Sequence, residues 1–155
     1  MSDLDLQLIC DPISGRSYFD IKIGESDLVS DEGAETAALI SLFTDQRVAV
    51  DELPDFETDR RGWWGDKIAD VEDDQIGSKI WLLSREKQTN ETLQRFIDYS
   101  RDCLQWMIDD GFAEDILVDA EYIRRGIIKV SIQIDKPSGL SEAFSIIWDG
   151  QGVKR

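Results

Sequence analysis

From Ile128 to Ile134 apolar and polar side chains alternate without a break: Ile128, Val130, Ile132 and Ile134 fall on one face of an extended chain, and Lys129, Ser131 and Gln133 on the other. A helix turns every 3.6 residues and cannot keep those four on one side, so the segment reads as a strand with one wet face and one that must be covered. Its flanks carry turn chemistry. Arg124-Arg125-Gly126 separates it from a looser alternation over Leu117 to Ile123, and Lys136-Pro137-Ser138-Gly139 separates it from a closing strand over Ala143 to Trp148.

The N-terminal end repeats the pattern on a smaller scale. Leu4 to Ile9 alternates, Asp11 to Gly15 can turn, and Tyr18 to Ile23 forms a second apolar run that Gly24 ends, which together read as a hairpin. Between the two strand regions the period changes. Leu93, Phe96, Ile97, Ser100, Leu104, Met107 and Ile108 share one face of a helix that Thr89 or Asn90 can cap and Gly111 can close. A second helix, Ala34 to Phe43, has Ser30 or Asp31 as candidate caps and is apolar over so much of its circumference that burial is expected. Lys79 to Leu83 fits either a helical turn or a buried strand, and the reading favours the turn.

Strands at both ends with helices between them, and no regular β-α-β alternation, predict an α+β fold. The expected architecture is a small, largely antiparallel sheet drawn from the N-terminal hairpin and the C-terminal strands, packed with two main helices. Residues 1–155 suit one domain, no internal repeat is visible, and a long irregular acidic loop is expected at about 44–76.

Thirty-three acidic residues against 17 basic ones leave a formal charge of -16, a field that repels phosphate backbones and anionic lipid and so argues against nucleic-acid and membrane partners. No apolar run approaches the roughly 18 residues of a membrane span, and Met1 to Asp5 lacks the start of a secretory signal, which points to synthesis and assembly in a cytoplasm. The chain has no histidine, so triads built on that base are excluded. Paired carboxylates could run glycoside hydrolysis, but nothing marks one pair among so many acids. Asp70 to Asp74 suggests calcium, yet the sixth position from Asp70 is Gln75 where a calcium loop needs glycine, and the twelfth is Trp81 where it needs glutamate. No phosphate-binding glycine loop occurs. Cys10 and Cys103 lack metal or redox spacing and read as reduced, partly buried thiols, a disulfide between them being left open. No enzyme activity, cofactor or metal is expected.

One segment asks for a partner. Asp59 to Asp66 places two arginines and two adjacent tryptophans between glycines in an otherwise acidic loop, and these residue types are enriched at the centres of protein interfaces. The alternative is that one tryptophan plugs the core while the arginines pair with aspartates. Adjacent side chains rarely both point inward, so at least one tryptophan or arginine is expected to serve a partner. The candidate partner-binding residues are Arg60, Arg61, Trp63, Trp64 and Asp66, with Trp81, Arg85 and Lys87 from the segment that follows; no catalytic, cofactor-binding or metal residue is assigned.

The strings DRRGWWGD, LISLFTDQRVAVDELP and GSKIWLLSREKQTNETL, with SDEGAETA and WMIDDGFAEDI, resemble the Mu-like phage baseplate wedge protein family in order and spacing from about Leu4 to Trp148. The resemblance implies a non-enzymatic structural subunit of a contractile tail, found in the virion baseplate. It also implies kinship with the wedge subunit that starts sheath polymerisation, and as partners other wedge proteins and sheath or tube subunits. Sheath-like subunits join by lending strands to neighbouring sheets, for which Leu4 to Ile9 and Ala143 to Trp148 are the natural candidates; loss of Ala143 to Arg155 is then expected to block sheath assembly. Rival readings are an acidic decoy that mimics DNA and a carboxylate-based peptidoglycan hydrolase.

Overall fold

The computed structural model describes residues 6–10, 17–21, 34–55, 57–68 and 75–149. Strand β1 (Leu6–Cys10) pairs antiparallel with β2 (Ser17–Ile21), Leu8 opposite Phe19, giving the expected hairpin. Its turn at Asp11 to Gly15, the helix caps Ser30 and Asp31, and the acidic run Asp70 to Asp74 lie outside the described residues. Helix α1 (Ala34–Phe43) and helix α2 (Asn90–Asp109) follow, and then β3 (Asp115–Arg124), β4 (Ile127–Asp135) and β5 (Ser141–Asp149). The class is α+β and the pairing antiparallel, as the sequence implied. Among the described residues the strands divide into two sheets, the β1–β2 hairpin and a three-stranded β3-β4-β5 meander.

Helix α2 stands where its periodicity places it. The Thr89 hydroxyl accepts the Thr92 N–H at 3.1 Å, satisfying one of the free donors of the first turn. At the other end Gly111 takes φ +73° and the Ala113 N–H closes back on the Met107 carbonyl at 2.8 Å. Phe96, Ser100, Leu104 and Met107 are buried along one face. They meet Ile128, Val130, Ile132 and Ile134 of β4, all buried, together with Ile116, Val118 and Ala120 of β3 and Ile146 of β5. Phe96 sits edge-on to Trp148 with ring centroids 5.1 Å apart, locking the closing strand onto the helix. Helix α1 adds Ala34, Ala38, Leu39 and Leu42 to this core and is tied to α2 by the Trp106 Nε1–H, which donates to the Ser41 hydroxyl at 3.1 Å. Ile40 and Phe43 stay partly exposed, so burial of α1 is one-sided and narrower than its composition suggested.

The β3 edge of the meander is blunted in its first half by side chains. The Ile116 N–H is held by its neighbour's Asp115 Oδ1 at 2.9 Å, and the Val118 carbonyl accepts from Arg101 Nη2 at 3.3 Å, so two groups of the open edge are already met by charged side chains. At the other edge β5 has no neighbouring strand beyond β4 among the described residues.

Candidate functional site

Among the described residues between α1 and α2 there is no sheet, and the backbone groups are satisfied piecemeal. Residues 44–48 form a spine. On one side the Gln46 N–H donates to the Ser78 carbonyl at 3.0 Å and the Ser78 N–H to the Thr44 carbonyl at 2.9 Å, while the buried Ser78 hydroxyl donates to the Leu42 carbonyl at 2.7 Å. On the other side the Val48 N–H donates to the Arg60 carbonyl at 3.2 Å and Arg60 Nε returns to the Val48 carbonyl at 2.6 Å. The approach at Ser78 requires Gly77, which has φ +112°; a Cβ there would stand 2.5 Å from the Thr44 carbonyl oxygen.

Upon this spine sits a second, small core of Val48, Trp81 and Leu82, with Leu53 and Tyr99 packed against it. Trp81 belongs to the 3-10 helix Ile80–Arg85, the helical turn anticipated in this segment, and is only 8% exposed. Its indole N–H donates to the Gln46 carbonyl at 3.0 Å. The guanidinium of Arg61 lies over its ring at 4.4 Å from the centroid and bonds Asp45 Oδ2 at 2.7 Å. Arg61 adopts φ +51°, an uncommon conformation for a residue with a Cβ, stabilised by Asp59 Oδ1 accepting its N–H at 2.9 Å and by Arg47 Nη1 donating to its carbonyl at 3.1 Å. Nearby, Lys79 Nζ bonds Glu52 at 2.5 Å; this contact first, and the Ala49 N–H second, hold the Glu52 carboxyl below its ordinary value.

The tryptophans that follow go the other way. Gly62 turns the chain with φ +102°, and the Trp63 ring packs against Gly65, in space a Cβ would fill. Trp64 opens a short 3-10 turn, Trp64–Lys67, and its ring stands 5.4 Å from that of Trp63 at 47°. Trp63 is 45% and Trp64 70% exposed; Val50 and Ile68 in the same loop are each 70% exposed. Asp66 Oδ1 accepts the Ile76 N–H at 3.2 Å, and its Oδ2 is buried without a hydrogen bond among the described residues.

The candidate residues therefore separate into two groups. Arg60, Arg61 and Trp81 build the loop from within, Asp66 pins its far end, and Trp63 and Trp64 face outward. Arg85 and Lys87 are exposed at the end of the 3-10 helix and before α2, where the Lys87 carbonyl accepts from the Thr92 hydroxyl at 2.7 Å. Asp45, Gln46, Gly77 and Ser78 escaped the sequence reading because most of their work is done by backbone groups. Among the described residues no group of three or more carboxylate, thiol or imidazole side chains is placed to hold a metal ion, and no helix is long and apolar enough to cross a membrane. Burial pushes the Cys103 thiol up to about 12, with the neighbouring Asp102 charge adding to the effect, and its S–H is turned to the Ser100 carbonyl at 3.2 Å.

A family model described as phage protein GP46 matches residues 34–141, which run from the start of α1 through the whole loop to the start of β5. The chain belongs to the GP46 family of phage proteins. It is 43% identical over 114 residues to the baseplate protein gp46 of Escherichia phage Mu, an alignment covering 73% of this chain and 77% of that protein. It is 37% identical over 123 residues to the Mu-like prophage FluMu protein gp46 of Haemophilus influenzae, covering 79% and 83% respectively. The Mu-like resemblance read from the sequence is thereby upheld, and within the GP46 family match the outward-facing tryptophan pair lies in the matched region.

Proposed function

We propose that this GP46 family chain is a non-enzymatic structural subunit of a contractile-tail baseplate, that it works in the wedge near the start of the sheath, and that Trp63 and Trp64 form its contact with a neighbouring tail protein. The observation that carries the reading is a pair of adjacent indoles, 45% and 70% exposed, on a turn fixed by glycines and an arginine clamp, in a chain 43% identical to a baseplate protein. Two exposed tryptophans are an aggregation hazard unless something covers them, and a turn already held in shape loses little freedom when it docks. The subunit would be made in the host cytoplasm and reside in the virion tail.

Strand lending, the other route implied by the resemblance, would enter more readily at β5, because charged side chains engage two backbone groups of the β3 edge. Truncation from Ala143 is a poor test of it: Ile146 is buried and Trp148 packs on Phe96, so the deletion would damage the core before it reached assembly. The clean test is the double substitution Trp63→Ala and Trp64→Ala. Its stability should match that of the parent within about 0.5 kcal/mol, as for other surface changes, while incorporation into tails, read by immunogold labelling of the baseplate end, falls sharply. Normal labelling from a folded variant would remove this surface from the interface.

A further inference from the structure

Resting on that reading, we infer that the Trp63–Trp64 face docks a cationic, arginine-bearing segment of a neighbouring tail protein. Residues 44–76 carry eleven Asp and Glu against four Arg and Lys. Three of those four cations are engaged within the loop: Arg61 by Asp45 and the Trp81 ring, Arg60 by the Val48 carbonyl, and Arg47 by the Arg61 carbonyl. Lys67, exposed on the tryptophan turn itself, is the fourth. Against it stand the exposed carboxylates of Asp51, Asp55 and Asp59, and Glu57, which the Asp59 and Thr58 N–H groups keep ionised. The indoles thus belong to a loop of net negative charge, and a partner without cations would dock on that loop with its charge uncompensated.

Arginine fits this surface better than lysine does. Its weakly hydrated, planar guanidinium stacks on an indole face while its N–H fork is still free to reach a carboxylate. The segment between α1 and α2 already contains that arrangement once: Arg61 over Trp81, with Asp45 taking the Nη1–H. The outer pair offers two exposed rings in a loop whose carboxylates outnumber its cations, with the arginine to come from elsewhere. A second copy of this chain is disfavoured by like charge at -16, and nucleic acid by the same field.

The test places the photo-cross-linking residue p-benzoylphenylalanine at position 64 in place of Trp64, assembles tails with that chain, irradiates them, and identifies the captured peptide by mass spectrometry. A captured segment of another tail protein with arginine beside the cross-linked residue is the expected result. A synthetic peptide of that segment should then bind the purified chain, and changing its arginine to glutamine should weaken binding about tenfold, the loss of one good interface anchor. Capture of a second copy, of a segment without cations, or a peptide indifferent to loss of its arginine would overturn the inference and leave the contact surface standing. Tails that contain the chain yet give no cross-link at position 64 would overturn both.

Discussion

In the β3-β4-β5 sheet the inward side chains of β4 are buried at every second position and the backbone groups pair strand to strand, Val130 between Ala120 and Ile146. Between α1 and α2 the same needs are met one group at a time, by a glycine at φ +112°, a serine hydroxyl, an indole N–H and an arginine over a ring. The sheet is held by a pattern that tolerates many sequences; the loop is held by particular atoms. That difference explains why the sheet can be plain while the loop is specific. Tryptophan shows both cases between α1 and α2: Trp81 is 8% exposed, with its nitrogen satisfied, and Trp64 is 70% exposed.

The comparison breaks most severely at Phe96. It fills the junction of α2 with the sheet and touches Trp148, so Phe96→Ala should destabilise the whole chain by ~3–5 kcal/mol. Chemical denaturation followed by circular dichroism and by tryptophan fluorescence should lose both regions in one transition. A fluorescence transition that lagged the loss of circular dichroism would mean that the second core of Val48, Trp81 and Leu82 is independent of the first.

A smaller, local break is expected at Gly77. A Cβ there would meet the Thr44 carbonyl at 2.5 Å in a conformation that side chains resist, so Gly77→Ala should cost ~1–3 kcal/mol. The loss should be felt first by the Gln46 and Ser78 amides, whose mutual pairing with the 44–48 spine depends on that approach. Amide hydrogen exchange can separate the regions: these two amides should exchange faster while those of β4 stay protected. Equal loss of protection in β4 would show that loop and sheet open as one unit.

What was legible in the sequence follows the same division. The alternation of β4, the face of α2 and its Thr89 and Gly111 caps were all readable, because periodicity and caps are local properties. The separation of the N-terminal hairpin from the C-terminal meander was not, since alternation says which way a strand faces and nothing about which strand it joins. In the loop, residue chemistry singled out Arg60 to Trp64 as unusual, but could not tell inward from outward. The burial of Trp81 depends on the Gln46 carbonyl and on Arg61, respectively 35 and 20 positions away, and no local signal joins them.

The smallest effect sharpens the contrast through charge. Glu52 is held below its ordinary value of 4.5 by Lys79 and by the Ala49 N–H, so its carboxylate is preferred in the folded chain. A carboxyl lowered on folding contributes stability above its unfolded value, and that contribution fades as the pH falls through the lowered folded value. The pair is 30% and 39% exposed, so solvent screening limits it to about 0.2–1 kcal/mol. Glu52→Gln should therefore be slightly less stable than the parent at pH 7, and the gap should close in acid once Glu52 itself is protonated. Salt should narrow it at pH 7 as well, because the charges are near the surface. The packing loss of Phe96→Ala should instead persist across pH and salt. A Glu52→Gln deficit that survived both acid and salt would mean that the loop is held at this point by the shape of the side chain and its hydrogen bond to Ala49, with its charge contributing nothing measurable.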